Sequence, residues 1–386
     1  MIPFISQRFF TKDFLKSFFV KDIDGELKLI LEENYANKEI LYTNCAKTAL
    51  YVVLAVLKKR LARKKVILPA YTDSGLIAVI KKAGLVPVLC DNSLKDFNLD
   101  LDKAITLLDN DVLAVVSPCM FGVPQDLEVF NKFCFERGIY LIEDFAQGFG
   151  SIFRNKSVGN CAPFSFTSLA RGKNVSTYSG GVLFADKEFA VDIRQEIDKL
   201  VKPCLFNDLK EFILYILVCI LSHPLMYSFI GIFASGFKKQ KPVFNFKLGQ
   251  LSQLKKHLLY ANLLNLNKLV LPKINLGKHL YLRLKDKTSQ ILIPQISEEM
   301  VVCYNRFPVI VKDKEKLFIY KEKLNRSGIE ASCFYGKALF DFYPDLVQQQ
   351  DRGEFINTKI LAENLLVFPV NCFMNKKNIS SILNIL

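Results

Sequence analysis

The sequence predicts an α/β fold in which a mostly parallel sheet carries helices on both faces and a second, smaller α/β domain follows. Between residues 38 and 200, short apolar runs typical of buried strands alternate with segments of helical periodicity. From about residue 241 onward the two patterns mix less regularly, and 386 residues are enough for two domains. We therefore predict a large domain over residues 1–200, an apolar helical insert over 203–240, and a long helix with a small domain over 241–386.

The predicted elements of the large domain follow one another in strict alternation. The first helix, TALYVVLAVLKKRLARKK, ends in basic residues that suit the negative end of the helix dipole. Proline ends the strand KVILPA, and glycine ends the helices SGLIAVIKKAG and DLEVFNKFCFERG. The other elements are the helix LDKAITLLD and the strands VPVLCD, DVLAVVSP and IYLIED. Ligands of such sheets bind at the carboxyl ends of the strands, and Asp144 lies at the end of IYLIED.

The C-terminal part is predicted to begin with one long amphipathic helix. This helix is LGQLSQLKKHLLYANLLNLNKL, and the segments CYNRFPVIV and ENLLVFPVN are predicted strands. Together they form the predicted small domain.

The composition narrows the classes of partner. Lys and Arg number 52 against 38 Asp and Glu, so the net charge of +14 favours anionic partners such as nucleotides or membrane surfaces. The lysines are dispersed, and no basic run is interleaved with aromatic residues, so nucleic-acid binding is not predicted. Ten cysteines without a CxxC pair, and no evident signal peptide, favour the reducing cytoplasm. With only three histidines, no metal site or hydrolase triad is predicted.

The insert contains a long apolar run from Phe212 to Phe237. It has no charge apart from His223, and KKQK follows it. The run is long enough to span a bilayer, but Pro224 would kink one helix or separate two short ones. Three interpretations stay open: a re-entrant or surface-lying membrane hairpin, a hairpin buried in an oligomer, and a transmembrane helix. The basic flank favours the cytoplasmic face of a membrane, taken here as the inner membrane.

The candidate catalytic residues lie in LIEDFAQGFGS and RGKNVSTYSGGVLF. Asp144 and Gln147 follow a buried strand, and Lys173 lies beyond them in a Ser/Gly-rich turn. Pyridoxal phosphate requires such a set: a lysine amine for its aldehyde, a carboxylate that keeps the pyridine nitrogen protonated, and an amide near the ring hydroxyl. We interpret Gly180 and Gly181 as a turn into the strand GVLFAD that places Lys173.

Groups suited to a phosphate are also present. Cys45-Ala46-Lys47 opens a helix, where free backbone N–H groups point outward, and Ser168 precedes Lys173 by five residues. A cation at a helix N-terminus is unfavourable for the helix dipole, so Lys47 indicates an anion nearby.

Four motifs in order resemble one enzyme family. The chain has IPF near its start, IEDFAQGFGS where the family reads close to IEDAAQAxGA, KNVSTYSGG for KNLTTGEGG, and FNFKLGQLSQL for YNYRMSELQAA. The family is the DegT/DnrJ/EryC1/StrS group of pyridoxal-phosphate aminotransferases, which make amino sugars from nucleotide-linked keto sugars. The resemblance covers most of the chain and is interrupted by the apolar insert.

The resemblance implies a fold and a set of roles. The fold is that of aspartate-aminotransferase-like enzymes, fold type I, and the amino donor is an amino acid, most often glutamate. Lys173 would be the Schiff-base lysine and proton shuttle, Asp144 would pair with the pyridine nitrogen, and Gln147 would contact the ring hydroxyl. Ser168 and the backbone of Ala46 and Lys47 would hold the phosphate, joined by Asn245 from the partner subunit of a homodimer. The product would serve polysaccharide or lipopolysaccharide synthesis.

The sequence departs from the family pattern at three places, one of which is the spacing before Lys173, where SFTSLARGK has either a longer approach or a shifted serine. PAYTDSG puts Asp73 near the position of the usual ring-stacking aromatic residue and leaves open whether Tyr71 substitutes, and the usual glycine-threonine phosphate loop reads Cys-Ala-Lys. Two alternative functions follow: a membrane-associated, non-catalytic scaffold on a degenerate fold, and a sugar dehydratase, in which histidine replaces the lysine and against which Lys173 argues. Each site residue also has an ordinary alternative, namely a surface lysine for Lys173 or Lys47, a helix cap for Asp144 or Asp73, a loop amide for Gln147 or Asn245, and a turn residue for Ser168.

Overall fold

The computed structural model describes residues 1–228, 245–287, 289–348 and 351–386. The strands are β1 (Lys38–Thr43), β2 (Lys65–Pro69), β3 (Val86–Cys90), β4 (Val112–Pro118), β5 (Tyr140–Asp144), β6 (Ile152–Phe153), β7 (Lys156–Ser157), β8 (Phe164–Ser168), β9 (Gly181–Asp186), β10 (Ile291–Leu292), β11 (Met300–Val301), β12 (Arg306–Val311) and β13 (Leu365–Pro369). The helices are α1 (Thr11–Ser17), α2 (Ile23–Glu32), α3 (Ala46–Arg60), α4 (Gly75–Lys82), α5 (Leu101–Thr106), α6 (Glu128–Glu136), α7 (Ala190–Asp198), α8 (Leu205–Leu221), α9 (Gln253–Leu264), α10 (Leu266–Leu284), α11 (Lys314–Arg326), α12 (Leu339–Phe342), α13 (Ile356–Asn364) and α14 (Lys376–Ile385).

The central sheet is mostly parallel, as the alternation of elements predicts. Its strand order is β1-β9-β8-β5-β4-β2-β3. Strands β8, β5, β4, β2 and β3 pair in parallel, whereas β9 pairs antiparallel with both β8 and β1. Strand β9 therefore runs against the other six. Every residue of β4 is buried, as expected for a strand covered on both faces.

The C-terminal part packs against the large domain. Strands β10, β12 and β13 form an antiparallel sheet, while β11 pairs with β6 of the large domain. Buried side chains of α3, the central sheet and the C-terminal strands belong to one continuous core. The division at residues 200 and 241 stays a prediction.

The predicted long helix is wrong in its bounds. The segment is two helices, α9 and α10, of which the second continues to Leu284. Ser252 caps the first helix by accepting the N–H of Lys255 at 3.4 Å. Asn265 separates the two, and its side-chain amide donates to Ala261 O at 2.9 Å and to Asp13 Oδ2 at 2.8 Å. Residues 248–251, which the prediction included in the helix, are not helical.

The apolar insert is described as far as residue 228. Helix α8 ends at Leu221, immediately before Ser222-His223-Pro224, where the sequence predicts an interruption. Over the part of the chain that the structure describes, no helix has both the length and the apolar character needed to cross a membrane. The remainder of the run, residues 229–237, lies outside the described residues.

Candidate active site

A cavity of about 150 Å³ opens at the carboxyl edge of the central sheet. Pro118, Asp144 and Ser168, the last residues of β4, β5 and β8, line it together. The structure thus brings these strand ends to one place, as expected for a parallel sheet. The other lining residues include Ala46, Lys47, Gln147 and Lys173. Six of the seven residues predicted from the sequence therefore lie around one cavity.

Asp144 is a buried carboxylate with spare hydrogen-bonding capacity. Its Oδ1 accepts the N–H of Ala146 at 3.0 Å, a turn bond that resembles the alternative capping role, although no helix follows. Burial raises its pKa to about 6; the Ala146 bond and the charge of Lys173 oppose this rise, and Asp73 adds to it. The neighbouring Glu143 instead accepts three backbone N–H groups, from Gly159, Cys161 and Ala162. Of the two acids, Asp144 is the one left to bind a ligand.

Lys173 shares the cavity with Asp144. Burial lowers the pKa of its amine, and Arg306 and Lys47 lower it further, whereas Asp144 and Asp73 oppose the effect. Lys173 is therefore more often neutral than an ordinary lysine. The neutral amine is the nucleophilic and basic form.

The backbone around Lys173 is fixed by side-chain amides on both sides. Asn305 Nδ2 donates to Gly172 O at 2.7 Å. Asn174 Nδ2 donates to Phe149 O at 2.9 Å, and Asn174 Oδ1 accepts from the buried Lys273 Nζ at 2.8 Å. The loop is thereby tied to α10 and to the residue that precedes β12. Hydrogen bonds of this kind hold a reactive group in place. The sequence around Lys173 does not indicate them, because their partners come from distant parts of the chain.

The N-terminus of α3 provides a second group of donors. No acidic residue occupies its first turn, Cys45 gives no side-chain cap, and no hydrogen bond from the N–H of Ala46 or Lys47 is found among the described residues. Ser168 Oγ accepts the N–H of Ala170 at 3.3 Å, and its own proton remains available to a ligand. Free N–H groups, a hydroxyl and the Lys47 charge together suit a phosphate.

Gln147 is held by the backbone of the opposite loop. Its Oε1 accepts the N–H of Phe121 at 3.2 Å, and its Nε2 lies 3.7 Å from Met120 Sδ. Phe121 has a φ of 59°, in the left-handed region that bulky residues seldom adopt. Because sulfur is a weak acceptor, Nε2 keeps a donor for a hydroxyl group of a ligand.

The structure adds residues that the sequence motifs did not identify. Tyr335 lines the cavity, whereas Tyr71 is buried behind it, edge-on to Tyr335 with ring centroids 5.3 Å apart. Tyr335, and not Tyr71, is therefore the tyrosine that faces the cavity. Asp73 Oδ1 accepts the N–H of Gly75 at 2.6 Å, which supports its interpretation as a cap at the start of α4.

Asn245 does not line this cavity. It is exposed and lies in a separate hollow with Lys81 and Tyr343. Its predicted role requires a second subunit, so the single chain leaves that role a prediction.

The donor set fits pyridoxal phosphate. A buried acid with one internal hydrogen bond suits a pyridine N–H, the Lys173 amine suits an aldehyde, and the α3 N-terminus suits a phosphate. Acidic, nucleophilic and anion-binding groups, the three kinds of group that the cofactor needs, thus line one small cavity.

The chain belongs to the DegT/DnrJ/EryC1/StrS aminotransferase family, whose model matches residues 26–386. Among curated relatives, GDP-perosamine synthase of Caulobacter vibrioides is 29% identical over 161 residues, 41% of this chain and 42% of the relative. The UDP-2-acetamido-2-deoxy-3-oxo-D-glucuronate aminotransferase of Pseudomonas aeruginosa is 32% identical over 136 residues, 34% of this chain and 37% of the relative. The matched segments thus span well under two thirds of these relatives.

Solved structures share the fold over the whole chain. A Helicobacter pylori aminotransferase involved in the biosynthesis of pseudoaminic acid has a TM-score of 0.76 at 17% identity, covering 100% of this chain and 97% of the other. The Escherichia coli GDP-4-keto-6-deoxy-D-mannose-3-dehydratase, solved with bound hydrated pyridoxal phosphate, has a TM-score of 0.73 at 15% identity, covering 100% and 99%. The predicted aspartate-aminotransferase-like, fold type I architecture is confirmed.

Proposed function

We propose that this protein is a pyridoxal-phosphate aminotransferase that moves an amino group from an amino acid, glutamate by family resemblance, to the keto group of a nucleotide-linked sugar. The observation that carries the proposal is the placement of Lys173 and Asp144 around one cavity at the carboxyl edge of the sheet. The names of the curated relatives support the substrate class. The product would serve polysaccharide or lipopolysaccharide synthesis.

The roles of the residues follow from their surroundings. Bound pyridoxal phosphate would supply an aldehyde and an electron-accepting ring. Asp144 would accept the ring N–H and keep it protonated, while Gln147 Nε2 would donate to the ring hydroxyl. Ser168 and the N–H groups of Ala46 and Lys47 would bind the phosphate. Lys173 Nζ would attach the cofactor. Once released, the amine would take a proton from one carbon and deliver it to another.

The alternatives are less well supported. A dehydratase of this fold would carry histidine where Lys173 lies, so the amine favours transamination. A non-catalytic scaffold would not need a buried acid and a lysine of lowered pKa in one cavity, because both are costly for stability.

Absorbance spectroscopy tests the proposal. Wild-type protein incubated with pyridoxal phosphate should show a visible band that borohydride removes, and glutamate should convert the cofactor to its amine form. Lys173→Ala should lack the band, whereas Lys187→Ala, which removes an exposed lysine, should keep it. If wild-type protein shows no band at saturating cofactor, the protein is not a pyridoxal-phosphate enzyme and the scaffold function replaces this one.

We also propose that the protein associates with the cytoplasmic face of a membrane through the Phe212–Phe237 run. Leu209, Ile213 and Leu217 of α8 are 53%, 59% and 45% exposed. Glu211 on the same helix turns inward to Lys255, at 2.6 Å. Apart from Lys210, the exposed face from Leu209 to Leu217 is therefore apolar, and apolar faces with basic residues beside them occur in helices that lie on lipid.

Vesicle co-sedimentation tests this association. Ile213→Glu should weaken binding to anionic vesicles, and Val129→Glu, at a 79% exposed site on α6, should not. If wild-type protein ignores vesicles and Ile213→Glu instead dissociates an oligomer, the run is a protein interface.

A further inference from the structure

Arg306 is a largely buried cation that has no carboxylate partner among the residues that the structure describes. It is the first residue of β12 and lines a cavity of about 590 Å³ that shares Lys173 and Gln147 with the smaller one. Its Nη1 donates to Asn305 Oδ1 at 3.3 Å, and no ion pair joins it to an acid within the described ranges. A charge withdrawn from water without a counter-ion destabilises a fold. A bound anion would compensate for that cost.

The Arg306 guanidinium group lies over two aromatic rings. The guanidinium carbon lies 5.0 Å from the ring centroid of Phe4 and 5.0 Å from that of Phe334. Stacked guanidinium groups keep their N–H donors at the edge of the plane, where two of them match the two oxygens of a carboxylate. The rings therefore contact the guanidinium group without accepting its N–H donors, which remain for a ligand apart from the one that Asn305 accepts.

Arg306 lies close to the amine of Lys173, in the same cavity. Asn305, which accepts from Arg306, donates to the carbonyl of Gly172, the residue before Lys173. A short chain of contacts thus couples the position of Arg306 to that of Lys173. Two acids line this cavity and each accepts a backbone N–H: Glu330 from Phe4 at 2.8 Å and Asp73 from Gly75 at 2.6 Å.

We propose that Arg306 binds the carboxylate of the amino-acid donor and holds its amino group beside Lys173. The inference rests on the proposed function and specifies the residue that selects the donor. In an amino acid the carboxylate and the amine are attached to one carbon, so their receptors must be neighbours. In a nucleotide-linked sugar the diphosphate is separated from the keto carbon by part of the sugar ring. A receptor next to Lys173 therefore suits the carboxylate better than the diphosphate.

Binding measurements on the cofactor-loaded protein test this assignment. α-Ketoglutarate carries the donor's carboxylates without an amine, so calorimetry can follow its binding without reaction. Arg306→Gln should weaken this binding about 100-fold, and Arg306→Lys, which keeps the charge and loses the fork, about tenfold. UDP and GDP should bind all variants equally. Arg137→Gln removes a surface guanidinium that also stacks on a ring, 3.5 Å from Phe133, and should change nothing.

Stability separates a binding role from a structural one. Because Arg306 has no acidic partner within the described part of the chain, its removal leaves no such charge unpaired, and Arg306→Gln should unfold at the same temperature as the wild type or higher. A large fall in that temperature together with unchanged α-ketoglutarate affinity of Arg306→Lys would make the residue structural. A selective loss of UDP or GDP affinity would reassign it to the diphosphate.

Failure of the proposed function is recognised separately. If glutamate does not convert the wild-type cofactor to its amine form, the aminotransferase proposal fails whatever Arg306 does. If wild type and Arg306→Gln convert with the same dependence on glutamate concentration, only the assignment of Arg306 is wrong.

Discussion

At the residue scale, two adjacent acids have opposite tasks. Glu143 and Asp144 end the same strand, and neighbouring side chains of a strand point to opposite faces. Glu143 is bonded to three backbone N–H groups and anchors the loop of residues 159–162. Asp144 receives one such bond and carries a raised pKa. The first acid stabilises the fold, and the second is kept for a ligand at some cost in stability.

Asp144→Asn should show this cost directly. In the cofactor-free protein the pKa of Asp144 is about 6, against about 4 for an unfolded Asp. Between these values only the unfolded state loses its proton, so the free energy of unfolding falls as the pH rises through this window. The two-unit difference corresponds to at most about 3 kcal/mol above pH 6. Asparagine keeps the acceptor for Ala146 and carries no charge.

Urea unfolding from pH 4 to pH 8 checks this prediction. Asp144→Asn should match the wild type near pH 4 and be the more stable protein at pH 8. Saturating pyridoxal phosphate is the control, because a ring N–H would stabilise the wild-type carboxylate and reverse the order. If the free energies of unfolding of wild type and Asp144→Asn change with pH in the same way, burial does not raise the pKa of Asp144.

The motifs identified the site residues of the large domain, but not those that the C-terminal part contributes. Lys173, Asp144 and Gln147 lie within one stretch of the chain, whereas Arg306 and Tyr335 come from the C-terminal part. No sequence spacing indicates that β12 returns to the loop of Lys173. One signal was present, since an arginine opens the otherwise apolar segment RFPVIV and a charge beside a buried strand is unusual.

At the scale of elements, the close approach of α3 to β9 shapes the phosphate-binding end of the cavity. A Cβ on Gly181 would lie 2.6 Å from Ala46 N and 2.7 Å from Cys45 C, both backbone atoms that cannot rotate away. The predicted turn at Gly180 and Gly181 is misplaced, because the bends lie before the pair, at residues 177–179, and Gly181 is already the first residue of β9. Glycine at 181 also lets the helix N-terminus reach the sheet edge, and the sequence did not indicate that role.

Gly181→Ala should therefore displace the start of α3. We expect the free energy of unfolding to fall by about 1–3 kcal/mol, as for other overpacked sites. We also expect inorganic phosphate to lose its ability to raise the unfolding temperature, because its N–H donors have moved. Gly353→Ala is the matched control, since a Cβ there meets nothing within 4 Å. If phosphate stabilises Gly181→Ala as well as the wild type, the phosphate binds elsewhere.

Sequence periodicity predicted the elements of the large domain well but not every direction or boundary. An apolar run looks the same in either direction, so the reversal of β9 could not be inferred from it. At the break between α9 and α10, Asn265 bonds to Asp13 of α1. Such a long-range bond has no trace in the local pattern of hydrophobic residues.

At the scale of the whole molecule, one residue that was predicted to bind the cofactor lies outside the cavity of its own chain. Asn245 is exposed beside α4, away from Lys173. If it holds the phosphate, it does so in a second copy, and each active site needs two chains. The family resemblance implies such a homodimer, in which the two active sites share residues across a two-fold axis.

Mixed dimers of Lys173→Ala and Asn245→Ala chains would decide this. If Asn245 acts across the interface, each mixed dimer has one site with both residues intact and one site with neither. Random pairing makes half of the dimers mixed, so about a quarter of all sites should carry borohydride-reducible cofactor at limiting pyridoxal phosphate. The Lys173→Ala dimer should carry none, and the Asn245→Ala dimer little. If Asn245 acts within its own chain, no site of a mixed dimer is complete, and coexpression restores no cofactor binding. Cofactor loading above that of both single-variant dimers would therefore show that the active site is built from two subunits.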